Sequence, residues 1–412
     1  MNTFTFIFLT FLILGTGLRF WLAQRQLAYI RLHQNAVPKA FAAKISLAEH
    51  QHAATYTSVT TRFAQRMLLV ETVILLFWTL GGGLEWLDQS WRSLAWPELW
   101  TGVAVLISFG ILSTIIELPS SFYSTFKIEA QFGFNKTTLG LFITDLLKSM
   151  ILTLIIGIPL LTLILWLMAH AGNWWWLSVW IVWISFSLFM MWAYPTWIAP
   201  LFNKFRTLED DELKQRIESL LQRNGFSSQG VFVMDGSKRS GHGNAYFTGF
   251  GKQKRIVFFD TLLESLNADE VEAVLAHEIG HYKLNHLLKQ IVLMATLSLI
   301  GLAGLGWLME QNWFYHGLGV STPSTYLALL LFIMILPVFT FILHPTLAWF
   351  SRRHEFEADN FAVKQTNAQP LIQALVKLYK DNASTLTPDP LYSAFYDSHP
   401  PAPVRVAHLS DG

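Results

Sequence analysis

Seven apolar stretches constrain this chain more than any other feature, at 3–22, 67–86, 99–118, 150–171, 174–197, 287–308 and 326–350. An apolar helix of about 20 residues crosses a hydrocarbon core of about 30 Å. A crossing segment must also satisfy its own backbone polar groups, which a helix does. The fourth or fifth stretch alone could be a buried core helix; the whole set could not. Hydrophobic residues make up 52% of the chain and charged residues 14%, against about 25% charged in soluble domains. The expected fold class is therefore mainly α, a multi-pass membrane protein with seven transmembrane helices. The first stretch has no basic residue ahead of Arg19. It lacks the charged start of a signal peptide and reads as a retained anchor.

Lys and Arg placement sets the orientation. With the N-terminus outside, the loops between spans on that side carry one basic residue, Arg92, and most of the 29 Lys and Arg fall in 23–66, 119–149, 198–286 and 351–412. The positive-inside rule assigns these four segments to the cytoplasm. Four regions follow: 1–197, five spans with cytoplasmic helical loops; 198–286, a first catalytic segment; 287–350, a transmembrane hairpin; and 351–412, a second catalytic segment with a Pro-rich, irregular tail from about Thr385. A net charge of +1 gives no sign of nucleic-acid binding. With no cysteine, thiolate metal sites, disulfides and cysteine nucleophiles are excluded, so a metal must be held by His, Asp or Glu.

The segment 198–286 is the one sizeable polar stretch before the hairpin. An amphipathic helix is expected over 209–223, ended by Asn224-Gly225. Strands are expected over 230–235, 244–250 and 255–260, the last two joined by a turn at 251–254. Asn267 and Glu270 have the spacing of a capping box, opening a helix from Ala268 to about Asn285 that heads towards the sixth span.

That helix carries His277-Glu278-Ile279-Gly280-His281. Residues four apart share a helical face, so both imidazoles can reach one metal. Glu278 stands beside them, where a carboxylate can take a proton from a water polarised by the metal. Gly280 costs about 1 kcal/mol in a helix interior, which points to close packing or to the metal site. A catalytic zinc takes three protein ligands and keeps one position open. Leu284 and Leu287 occupy the positions where an extended motif would place Gly and a third His, and His286 is one residue off, on the wrong face. The third ligand must come from elsewhere.

Spans six and seven form an antiparallel hairpin, so the segment after the seventh, Ser351 to Asp359, returns beside His281. Glu355 and Asp359 are four apart on an expected helix. One can ligate while the other orients a ligand His through its free ring nitrogen. His354 competes as a ligand, but its helical phase turns it away from Asp359. Glu357, and Glu355 taken alone, also read as solvated acids near a helix start.

These residues, with FGFNKTT at 132–138, APLFNKF at 199–205, SKRSGHGNAYFTGF at 237–250, RIVFFDTLL at 255–263 and SHPP at 398–401, resemble the type I CAAX prenyl endopeptidases, integral-membrane gluzincin metalloproteases. The resemblance spans nearly the whole chain. It implies one Zn2+ held by His277, His281 and Glu355, with Glu278 as general base and Asp359 orienting a ligand. It adds His399 and Arg405 as catalytic residues lining the site, His399 donating to the oxyanion. Unaided, both read as surface or packing residues of the tail. It also implies that the spans enclose a membrane chamber, and that a zincin-type catalytic domain of helices and a small sheet lies on the cytoplasmic side. Asn244 and Ala245 match edge-strand positions that hold substrate by main-chain pairing. His354 departs from the family's usual aromatic residue, and Gly241 and Gly243 replace serines. Short loops and the absence of a C-terminal retrieval signal point to a bacterial member, in the inner membrane.

The expected function is a zinc endopeptidase acting near the C-terminus of prenylated or hydrophobic peptides. A quality-control membrane protease is the alternative, although its members have fewer spans. A transporter with a structural metal is the reading from another class, supported by Glu71 and Glu117 in or beside spans. The expected partners are a peptide or protein substrate and the bilayer.

Overall fold

A computed structural model describes residues 2–248 and 253–411. In chain order the helices are α1 Thr3–His33, α2 Leu47–Trp78, α3 Gly83–Arg92, α4 Glu98–Tyr123, α5 Leu139–His170, α6 Trp175–Ala193, α7 Ala199–Phe202, α8 Asp211–Arg223, α9 Asp260–Ser265, α10 Ala268–Lys283, α11 His286–Leu308, α12 Asn312–Gly317, α13 Thr325–Thr340, α14 His344–Gln365, α15 Ala368–Asp381, α16 Pro390–Tyr396 and α17 Ala402–Asp411. The strands are β1 Phe205–Thr207, β2 Ser227–Met234, β3 Ala245–Thr248 and β4 Gln253–Phe259. Among the described residues, six helical runs are long and apolar enough to cross a membrane. A seventh arises if α2 and α3, bent by 46° at Gly82, count as one. The chain is a multi-pass membrane protein.

The spans do not pack evenly. Buried positions of α4, α5 and α13 cluster at one end: Thr101–Leu106, Ile164–Met168 and Tyr326–Leu331. Trp175 and Val179 of α6 and Leu305 of α11 join the same cluster. There Tyr326 donates to the buried Asp88 at 2.5 Å, and Arg92 pairs with the other Asp88 oxygen at 2.7 Å. The buried charge is thus compensated, as its desolvation requires. A Cβ on Gly102 would meet Tyr326 Cδ1 at 2.6 Å, so only glycine admits this ring. The opposite ends of α6 and α11 lead to the extramembrane segments, and Val73, Ile155 and Ile300 on the spans are more than half exposed.

At that other end sits a four-stranded sheet of order β1-β2-β4-β3, with β1 and β3 antiparallel to their neighbours and β2 parallel to β4. α8, α10 and α15 cover it. Their core joins Leu220, Val233, Ile256 and Ile279 to Ala362, Leu371 and Leu409, so segments on either side of the membrane hairpin share one interior.

Several boundaries differ from those expected. β2 starts earlier, at Ser227, and β4 takes in Gln253 and Lys254, placed in a turn by the sequence. β3 is Ala245–Thr248, while 249–252 lie outside the described residues. α10 stops at Lys283 because Asn285 adopts a left-handed conformation (φ 58°), which Asn tolerates better than most residues. The tail is helical rather than irregular. Asp389 accepts from the Leu391 and Tyr392 amides, and Pro390 opens α16. Proline favours a first helical turn, where no amide donor is needed.

Candidate metal centre and active site

The capping box is present: Asn267 accepts from the Glu270 amide at 3.0 Å and Glu270 accepts from the Asn267 amide at 2.8 Å. Lys377 pairs with the buried Glu270 at 2.7 Å. α10 then buries Val271, Leu275 and Ile279 in the shared core and turns His277, Glu278 and His281 the other way. Small residues bring α14 close. A Cβ on Gly280 would lie 3.1 Å from Ala358 Cα and 3.2 Å from its carbonyl oxygen. Gly280 therefore serves the helix crossing, with Ala276, Ala358 and Ala362 fully buried around it.

This crossing delivers Glu355 to the two histidines. His281 Nε2 lies 3.3 Å from Glu355 Oε1, His277 Nε2 lies 3.5 Å from Glu355 Oε2, and the two Nε2 atoms are 3.1 Å apart. One ligand atom from each residue falls within a 4.8 Å cluster. Glu355 Oε2 is buried and makes no hydrogen bond of acceptable geometry, although His399 Nδ1 lies 2.8 Å away. Two nitrogens and an unsatisfied carboxylate oxygen converging on one spot fit a metal of the zinc type.

Asp359 stands behind His277, its Oδ1 2.8 Å from Nδ1. Arg405 grips Asp359 with both arms of its fork, Nη2 to Oδ1 at 2.5 Å and Nε to Oδ2 at 2.9 Å. It lies buried beside Glu355, 3.5 Å from Oε2. A second nitrogen contact runs from Arg405 Nη2 to His277 Nδ1 at 3.3 Å. Burial acts to lower the His277 pKa, but the Asp359 and Glu355 carboxylates beside the ring outweigh it and raise it to about 9. Glu278 is half-buried, and no hydrogen bond or ion pair engages its carboxylate among the described residues. A carboxylate so placed is free to accept a proton.

The tail reaches the cluster because α1 and α14 hold it. Arg25 and Asp389 pair at 2.9 Å, and Arg352 Nη1 donates to the carbonyls of Ser393, Ala394 and Asp397. His399 is left 66% exposed at the cleft. Tail residues in a Pro-rich stretch offered no periodic signal, and the role of Arg352 was not legible at all. Asn244 is exposed, its side chain accepting from the Ala245 amide at 2.8 Å. Ala245 pairs with Phe258, and among the described residues β3 bonds to β4 alone. Tyr282 on α10 donates to the Phe247 carbonyl at 2.8 Å and fixes this edge strand over the histidine helix.

His286 stays outside the group of ligand atoms, as expected, but it and Glu357 lie against that group. His286 is not turned away: its Nδ1 lies 3.0 Å from His281 Nδ1, and its Nε2 lies 3.0 Å from Glu357 Oε2. Glu357 is therefore no solvated acid. His354 is turned from Asp359 as expected, and its ring stacks on His286. Beside the cluster lie two cavities that meet at Tyr396 and Ser398. One, of about 530 Å3, is lined by Leu293, Met294, Leu347 and Phe395. The other, of about 590 Å3, is lined by Tyr56, Thr60, Asn382 and His399. Glu71 and Glu117 are exposed on α2 and α4, far along the chain from these groups.

Comparison with known proteins gives the family. Residues 26–204 match a family model described as CAAX prenyl protease N-terminal, five membrane helices, and residues 207–412 match Peptidase family M48. The chain is 41% identical to a CAAX prenyl protease 1 homolog of Arabidopsis thaliana, over 71% of this chain and 70% of that one. It is 39% identical to CAAX prenyl protease 1 of Saccharomyces cerevisiae, over 72% and 69%, and 35% identical to a Homo sapiens homolog, over 82% and 80%. It superposes on the crystal structure of S. mikatae Ste24p with a TM-score of 0.91 and 31% identity, covering 99% of each chain. A histidine–glutamate cluster on a membrane scaffold, matched from residue 26 to residue 412, places the chain in peptidase family M48, as a membrane metallo-endopeptidase.

Proposed function

We propose that the metal is zinc, one ion per chain, held by His277, His281 and Glu355, and that the enzyme cleaves hydrophobic or prenylated peptides near their C-termini. The observation that carries this reading is the convergence of three ligand atoms within 4.8 Å, with the unengaged Glu278 carboxylate on the same helical face. Zinc, when bound, would polarise the scissile carbonyl. Glu278 takes a proton from the attacking water and passes it to the leaving amine. His399 donates to the developing oxyanion. Asp359 fixes the His277 ring so that Nε2 faces the ligand cluster, and Arg405 fixes Asp359. The outer edge of the sheet at Asn244 and Ala245 pairs with the substrate main chain, which makes binding tolerant of sequence.

The substrate class rests on three supports. Relatives carry the name CAAX prenyl protease. The 530 Å3 cavity beside the cluster has a largely apolar lining. The spans also leave much apolar surface uncovered by protein: the apolar windows of α5, α6 and α11 are only 11%, 11% and 6% buried. A chamber between them accounts for that exposure and for Glu71 and Glu117, which would face its water. The Lys and Arg distribution supports an N-terminus outside and catalytic residues at the cytoplasmic face, and the short loops suit a bacterial inner membrane. The purified enzyme assayed on farnesylated CAAX peptides and on unmodified hydrophobic peptides tests the substrate class. Faster turnover of the farnesylated peptide is expected; equal turnover would favour membrane-protein quality control instead.

A further inference from the structure

We infer that His286 and Glu357 form a hydrogen-bonded relay that fixes the tautomer and angle of His281 as a metal ligand. The inference rests on the metal reading above and concerns groups that reading leaves without a role.

The proton positions follow from the contacts. A carboxylate accepts only, so at 3.0 Å from Glu357 Oε2, His286 Nε2 carries the proton. Neutral His286 then has a bare Nδ1, 3.0 Å from His281 Nδ1. For those nitrogens to bond, His281 Nδ1 must donate. That leaves His281 Nε2 bare, and this is the atom facing His277 Nε2 and Glu355 Oε1.

The relay is held from all sides. His286 is 4% exposed, and the His354 ring lies on it with centroids 4.1 Å apart and planes 10° apart. Arg353 donates to the other Glu357 oxygen at 3.1 Å, and Lys289 Nζ lies 4.0 Å from Glu357, so the acid is compensated. Its geometry depends on the chain break at Asn285. In a continuous helix, five residues on from His281 would sit about 140° round the axis. The left-handed Asn285 ends α10 and starts α11 with His286 folded back over His281. The two ligand histidines are then supported alike, His277 by Asp359 directly and His281 by Glu357 through His286. Three acids of one helix, α14, divide the work: Glu355 faces the cluster while Glu357 and Asp359 stand behind its histidines.

His286 and Glu357 are positioning residues, so the test reads metal affinity. Full-length apo protein in detergent is titrated with zinc against a competing chelator, and its unfolding temperature is measured alongside. His286→Ala should weaken zinc binding by about tenfold or more. His286→Asn, whose side-chain oxygen can accept from His281 Nδ1, should recover most of that loss, and Glu357→Leu should fall between them. The apo forms of the Ala and Asn variants should unfold at similar temperatures. Wild-type affinity in His286→Ala, or equal loss in the Ala and Asn variants, would overturn the relay. A wild type that binds no zinc would instead overturn the metal reading.

Discussion

Each residue around the cluster has a job that its contacts define. Glu278 engages no partner among the described residues, so Glu278→Gln should leave zinc content unchanged and lower turnover by about 100-fold or more. Retained turnover in that variant would remove Glu278 as the base. His277, raised to about 9 by its hydrogen bonds despite burial, adds a pH dependence. Below that value the free protein holds a proton on the ring that a metal must displace, so acid opposes binding. Apparent zinc affinity, measured by competition, should fall about tenfold per pH unit from pH 8 to pH 6; a flat profile would contradict the assignment. At this scale the sequence was read well where spacing carries the chemistry. His277, Glu278 and His281 follow from a helical repeat. His286 did not, because the helical phase that excluded it is broken by one left-handed residue.

Among elements, the crossing of α10 and α14 matters most, because it sets the distance from Glu355 to the histidines. Gly280→Val would drive methyl groups into Ala358. Overpacking of this kind costs about 1–3 kcal/mol. The variant should show a lower unfolding temperature and weaker zinc binding together; an unchanged zinc affinity would mean that the crossing tolerates separation. Arg352 ties the tail to α14 through three carbonyls. Arg352→Ala should therefore reduce turnover by loosening His399 while leaving zinc content intact, which elemental analysis beside an activity assay would show. The spans, α8, the α10 capping box and the sheet were legible from periodicity and capping. α16 and α17 were not. They are short, begin at or just after prolines, and gain their stability from α1, α14 and α15 rather than from local pattern.

For the whole molecule, the buried positions of the spans gather at one end, the sheet lies beyond the other, and the hairpin of α11 and α13 returns the chain to the histidine helix. Orientation can be tested directly because the chain has no cysteine. Thr322→Cys, exposed between α12 and α13, should react with an impermeant thiol reagent added to intact cells, and Gln222→Cys, exposed on α8, should not. The reverse pattern would invert the topology. The central claim is that the two extramembrane segments close one metal centre across the hairpin. The zinc content of purified wild type and of Glu355→Ala tests it most directly. About one zinc per chain in the wild type and a large loss in the variant are predicted; undiminished zinc in Glu355→Ala would contradict the account.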